Sequence, residues 1–234
     1  MQSPQLEHAQ ILAQLRGGLV VSCQAPEGSP LRDRQVIAAM AQAAMQQGAV
    51  GVRLDTPDHI QATRVALPDA PIIGLWKQVY PESEVYITPQ FHHAEAIAHA
   101  GADIIALDCT LRSRPGAETF PEIIQRIHAD LGTLVMADID TLEAAIAAAE
   151  AGADVVGTTL FGYTGATQQQ TPPSFDLVKN LVEQLQVPVI CEGGIASPTM
   201  ATQAFQLGAY SVVVGTAITG IDQLVKQYVQ TIKR

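Results

Sequence analysis

Lys77 and Glu192 are the two residues whose surroundings best equip them to move a proton. Lys77 follows the apolar run PIIGLW, and Glu192 follows VPVIC and precedes Gly193 and Gly194. A lysine works as a base only when burial or nearby cations lower its pKa, and a carboxyl works as an acid only when its pKa is raised. The ends of short buried strands offer both conditions. The first polar residues after the other apolar runs are Gln24, Arg53 with Asp55, Asp108, Asp138, Thr158 with Thr159, and Thr216. A convergent ring of lysine, arginine and carboxylates suits chemistry on a polar small molecule. Taken singly, each has a plainer reading: Asp108 and Asp138 as helix caps, Arg53 as a surface partner of Asp55, Lys77 and Glu192 as exposed charges. The joint pattern favours a site.

Two glycine-containing turns offer a place for phosphate. Gly193-Gly194-Ile195 follows the seventh apolar run, and Gly215-Thr216-Ala217 follows the eighth. Backbone N–H groups and a helix N-terminus can hold an anion there. The alternative is that these glycines serve only tight turns. Local dipoles matter because the chain as a whole is acidic, with 13 basic against 23 acidic residues and a formal charge of −10. That balance repels a phosphate backbone and excludes nucleic acid as an expected partner.

Internal repetition shows which elements must position these residues. GAVGVRL, GADIIAL, GADVVGT and GAYSVVV share one pattern, headed by Gly48, Gly101, Gly152 and Gly208, and the unit recurs roughly every fifty residues. Four more strand candidates, GLVVSC, PIIGLW, TLVMA and VPVIC, lie between them. The runs are continuous and rich in Val and Ile, as parallel strands covered on both faces should be. Helical stretches follow, among them 34–47, 120–131, 142–151 and 175–184, with Thr141, Ser174 and Ser197 as expected N-caps. Each heading glycine fits the left-handed position that ends the preceding helix. The expected fold is therefore α/β, a single-domain (β/α)₈ barrel over residues 1–234, with an extra N-terminal helix near 5–15 closing its bottom. A doubly wound sheet would need a Gly-rich loop after its first strand, and none is present.

Hydrophobic residues make up 47% of the 234 residues and charged residues 15%, which excludes a disordered chain. Cys23, Cys109 and Cys191 form no Cys-x-x-Cys pair and read as apolar fillers in a reducing compartment. His92, His93 and His99 have no carboxylate at ligand spacing, so no metal site is expected, and they read as solvent-facing helix residues. The first twenty residues lack an apolar signal core, and the long uncharged stretch from Gly193 is too broken by polar residues and glycine for a membrane span. A cytoplasmic protein is expected.

The runs SCQAPEGSPL, GVRLDTPDHIQATR, IIGLWK, ITPQ, AGADIIALD, MADID, GTTLFGYTG, CEGGI and VVGTAIT resemble the N-acetylmannosamine-6-phosphate 2-epimerase family in order, over about residues 11–232. The resemblance implies interconversion of N-acetylmannosamine 6-phosphate and N-acetylglucosamine 6-phosphate in sialic acid breakdown, with neither metal nor organic cofactor. It implies Lys77 and Glu192 as catalytic residues, with Gln24, Arg53 and Asp138 binding the sugar. Gly193, Gly194, Gly215 and Thr216 would bind its phosphate. The expected partners are a phosphorylated amino sugar and a second copy of the chain in a homodimer. Two departures stand out. TLFGYT places Phe161 where the family carries a small hydroxyl, which is expected to reshape the pocket. Gly220 stands where an arginine usually follows AIT, removing a phosphate cation. Two other readings compete: a different barrel enzyme acting on a sugar phosphate, and a non-catalytic sugar-phosphate binder derived from the epimerase.

Overall fold

The computed structural model describes residues 4–232. Eight parallel strands pair in sequence order and close on themselves, β1 (Leu19–Cys23) returning to β8 (Ser211–Val214). Between them lie β2 (Gly51–Asp55), β3 (Ile72–Leu75), β4 (Ile104–Asp108), β5 (Leu134–Asp138), β6 (Val155–Gly157) and β7 (Val189–Glu192). Every apolar run named from the sequence forms a strand. The helices that follow them are α2 (Arg34–Gln46), α3 (Pro57–Ala66), α4 (Phe91–His99), α5 (Phe120–Arg126), α6 (Leu142–Glu150), α7 (Phe175–Gln184) and α8 (Pro198–Gln206). The chain ends in a one-turn helix α9 (Thr216–Thr219) and α10 (Ile221–Ile232). Among the described residues no helix is long and apolar enough to cross a membrane.

Local chemistry sets the helix boundaries. Thr141, Ser174 and Ser197 accept from the backbone N–H groups of Ala144, Leu177 and Met200, so each satisfies a donor that the first turn leaves orphaned. Gly48, Gly101, Gly152 and Gly208 all take φ between +93° and +103°, the conformation that ends a helix at low cost only for glycine. The α1 helix (Pro4–Leu15) precedes the barrel. From it, fully buried Leu15, with Ile11 and Leu12, packs against the interior cluster of Val20, Ile73, Ile104 and Leu134.

Alternation along the strands sorts side chains between two cores. Val20, Ile73, Met136, Val155, Ile190 and Val213 fill the barrel. Val21, Val52, Ile105, Val135, Val156 and Val189 face the helices. Counting on in twos from the interior residues reaches Ser22 and Gln24, Arg53, Lys77, Asp138, Thr159 and Glu192. The period of two thus collects the site at the C-terminal mouth.

His93 departs from expectation. It is buried, its ring lies 5.3 Å from Trp76 edge-on, and its Nδ1 accepts from the Gln90 N–H. Burial, helped by His92, lowers its pKa to about 4. His92 and His99 are exposed. Cys23, Cys109 and Cys191 are free and buried. Burial pushes the Cys23 thiol up to about 12 and the Cys191 thiol up to about 11, leaving both protonated at neutral pH.

Candidate active site

A cavity of about 830 Å³ opens at the mouth and is lined by Gln24, Arg53, Lys77, Glu192, Gly193, Gly194, Gly215 and Thr216. Of the polar residues singled out at the strand ends, Asp55, Asp108, Asp138 and Thr158 are absent from its wall. Asp138 has no exposed surface. Arg53 grips it with two bonds, Nη2 to Oδ2 at 2.6 Å and Nη1 to Oδ1 at 3.0 Å, and Thr159 donates to Oδ1 at 2.7 Å. Asp138 lies behind Arg53 and Thr159 and holds them.

Arg53 is 1% exposed and is no surface residue. Its Nη1 also donates to Glu192 Oε2 at 2.6 Å, so one guanidinium spans two carboxylates. Burial opposes the arginine charge, but Asp138 and Glu192 outweigh it and raise its pKa above the ordinary value. Glu192 responds in the other direction. Burial pushes it up to about 7 despite Arg53, and Asp138 adds to the rise. Thr158 fixes the backbone that carries it, accepting from the Glu192 N–H at 3.0 Å and donating to its carbonyl at 2.9 Å. Gly157 makes room for the Met136 side chain, since a Cβ there would lie 2.2 Å from Met136 Cε.

Lys77 stands across the mouth and donates from Nζ to Gln24 Oε1 at 2.6 Å, while Gln24 Nε2 donates to Ser22 Oγ at 3.0 Å. Lys77 is exposed at the mouth, yet neighbouring atoms desolvate its ammonium. Desolvation there lowers its pKa, Asp55 and Glu192 oppose the change, and Arg53 reinforces it. Asp55 anchors the lysine backbone, Oδ1 accepting from the Lys77 N–H at 2.9 Å, with Arg32 3.6 Å away. Asp108 points inward but is held by Arg112 and Thr110 and lines no part of the cavity. Neither Asp108 nor Asp138 caps a helix.

The opposite wall is backbone. Gly193 and Gly194 take φ of +95° and +71°, and a Cβ on Gly194 would sit 2.2 Å from the Pro172 carbonyl oxygen. Among the described residues, the N–H groups of Gly194, Ile195, Ala196, Thr216 and Ala217 donate to no protein acceptor, and all five residues line the cavity. Unpaired donors converging from two loops and a helix start are an arrangement that suits an anion. Gly220 lies outside that wall, and its missing side chain is imposed by crowding: a Cβ would meet the Thr216 backbone at 2.7 Å. An arginine does not fit this backbone. Phe161 is buried in the same core cluster as Ile139 and Leu177 and lines no part of the cavity.

Sequence reasoning assigned no role to Thr159, Tyr86 or Tyr163, which also line the cavity. Thr159 was signalled by its inward parity two residues after Gly157. Tyr86 carried no such signal. The loop after β3 folds back on itself, the Gln78 N–H donating to the Tyr86 carbonyl at 2.9 Å, and this brings Tyr86 to the mouth.

A closed parallel barrel with Lys77, Glu192 and a row of unpaired backbone donors at its C-terminal mouth is the construction of a TIM-barrel enzyme. Within that class, the family described as "Putative N-acetylmannosamine-6-phosphate epimerase" matches residues 37–234, and the chain belongs to it. A relative from Synechococcus elongatus, named "Putative N-acetylmannosamine-6-phosphate 2-epimerase", is 64% identical over 96% of this chain and 97% of its own length. A solved N-acetylmannosamine-6-phosphate 2-epimerase from Clostridium perfringens superposes with a TM-score of 0.90 at 40% identity, over 94% of this chain and 96% of that one. A thiamine phosphate pyrophosphorylase from Pyrococcus furiosus, 18% identical with a TM-score of 0.58, shares the fold alone.

Proposed function

We propose that this chain interconverts N-acetylmannosamine 6-phosphate and N-acetylglucosamine 6-phosphate by proton transfer at C2, a reaction of amino-sugar breakdown. The observation that carries the reading is the pairing of Lys77, lowered, with Glu192, raised, in one cavity beside an anion cradle. Groups driven towards neutrality from opposite sides suit a base and an acid working at the same pH. The C2 proton becomes removable once the sugar ring opens, because the aldehyde delocalises the carbanion as an enediolate. Lys77 and Glu192 exchange protons with C2 or the ring oxygen, and Arg53 offers positive charge to the developing oxyanion. Gln24 orients Lys77 and the sugar. Gly193, Gly194, Gly215 and Thr216 hold the phosphate through backbone N–H groups, and Asp138 acts through Arg53.

Proton NMR of either N-acetylhexosamine 6-phosphate in D₂O tests this reading. The epimer should form and carry deuterium at C2. Thermal stabilisation by the sugar phosphate without turnover would instead identify a binder.

The same reading includes a cytoplasmic homodimer acting on a small molecule and not on nucleic acid. Three free buried thiols suit a reducing compartment. Ile221, Val225, Tyr228 and Val229 stand exposed along α10, an apolar surface that a second copy would cover. Light scattering that returned the mass of one chain would contradict the dimer.

A further inference from the structure

Arg53, Asp138, Thr159 and Glu192 form a square of hydrogen bonds that is one proton short. Arg53 Nη1 has two N–H bonds, one directed at Asp138 Oδ1 (3.0 Å) and one at Glu192 Oε2 (2.6 Å). Thr159 Oγ1 touches the same two oxygens, at 2.7 Å and 3.1 Å respectively. A hydroxyl carries a single proton, so it can donate to only one carboxylate at a time. The shorter contact places that proton on Asp138. The fourth side closes only when Glu192 brings a proton of its own and donates it to Thr159 Oγ1.

We propose that Thr159 is a positioning residue that resets Glu192: its hydroxyl proton faces Asp138 while Glu192 is protonated, and turns to Glu192 when that residue gives its proton away. Resting on the epimerase reading, the step is balanced as follows. The Glu192 O–H bond breaks, its proton forms the new bond on the substrate, and the electron pair stays on the carboxylate. Thr159 breaks no covalent bond; it rotates about Cβ–Oγ1 and donates to the new charge. Asp138 tolerates the loss because Arg53 still holds both its oxygens. A static carboxylate pair would lack this adjustment and would have to lose a hydrogen bond in one state. The neighbouring Thr158 makes the contrast visible. Its hydroxyl is tied to the Glu192 main chain at both N–H and carbonyl, and it has nothing to switch between. Thr159 is only half-buried and lines the cavity.

The test pairs Thr159→Val with Thr159→Ser and reads two quantities. In the unliganded protein, carbon-13 NMR of labelled glutamate follows the Glu192 carboxyl; with substrate, kcat and KM are measured against pH. Valine removes the donor that stabilises ionised Glu192, so its titration should move up by about one pH unit, the scale of one hydrogen bond. Turnover should fall about tenfold, KM should stay within about twofold, and serine should restore both readouts. A Thr159→Val titration like that of the wild type overturns the proposal. So does a shifted titration with unchanged kcat, or a serine variant that restores neither. If the wild type turns over neither N-acetylhexosamine 6-phosphate, the epimerase reading fails, while the carboxyl titration still decides whether Thr159 switches.

Discussion

The two walls of the cavity are built from different materials. On the β2, β5 and β7 side, charge is carried by side chains locked to one another: Arg53 spans Asp138 and Glu192 within a few ångströms. On the β7–β8 side, backbone N–H groups with no protein partner among the described residues surround space, and no charged side chain of the described residues stands among them. The first wall has its side chains bonded to one another before any ligand arrives, and burial, working against Arg53, pushes Glu192 up to about 7 instead of an ordinary carboxylate value. The second is left unsatisfied until an anion fills it. On the proposed function, proton chemistry on the first wall needs tuned pKa values, whereas phosphate on the second needs only fixed dipoles. An acidic chain can therefore bind an anion without a basic surface.

Breaking the first wall should cost most. Arg53→Met leaves two buried carboxylates facing each other without their cation. Removing one partner of a buried ion pair costs about 3–5 kcal/mol. For a chain of this size that corresponds to a melting point lower by about 10 °C. Turnover should fall at least about 100-fold, since the Glu192 proton is then held more tightly. A thermal melt and a rate assay check this; a variant with wild-type stability would mean that the pair contributes little.

The second wall has no side chain to delete, so it must be tested by adding atoms. Gly194→Ala puts a methyl group against the Pro172 carbonyl in a backbone with positive φ, and the loop has to shift. Phosphate contacts bind ground and transition states alike, so KM should rise about tenfold with kcat nearly unchanged. An unchanged KM would place the phosphate elsewhere. Equal losses in kcat and kcat/KM would mean that the two walls are not separable.

The same division governs what could be read from sequence. The glycine-headed repeats and the Thr141, Ser174 and Ser197 caps are local signals, and local signals fixed the barrel. Inward parity then placed Gln24, Arg53, Lys77 and Glu192 at one mouth. Parity does not say which inward residue faces the cavity and which lies under its neighbour. Asp138 went under because Arg53, from a strand on another side of the barrel, reaches across the interior and covers it. Phe161 and Gly220 follow the same rule: their consequences depend on the outward face of a loop and on Thr216 backbone packing, neither of which has a sequence period. Tyr86 depends on a loop folding back, again without one.

On the proposed function, Lys77 and Glu192 move the C2 proton while the backbone wall holds the phosphate. Deuterium exchange at C2, followed by NMR with Lys77→Ala and Glu192→Gln under saturating N-acetylmannosamine 6-phosphate, tests it most directly. Both variants should lose at least about 100-fold in exchange, the scale of a positioned proton-transfer group, while still binding the sugar phosphate in a thermal-shift titration. Exchange at the wild-type rate in Lys77→Ala would contradict the account.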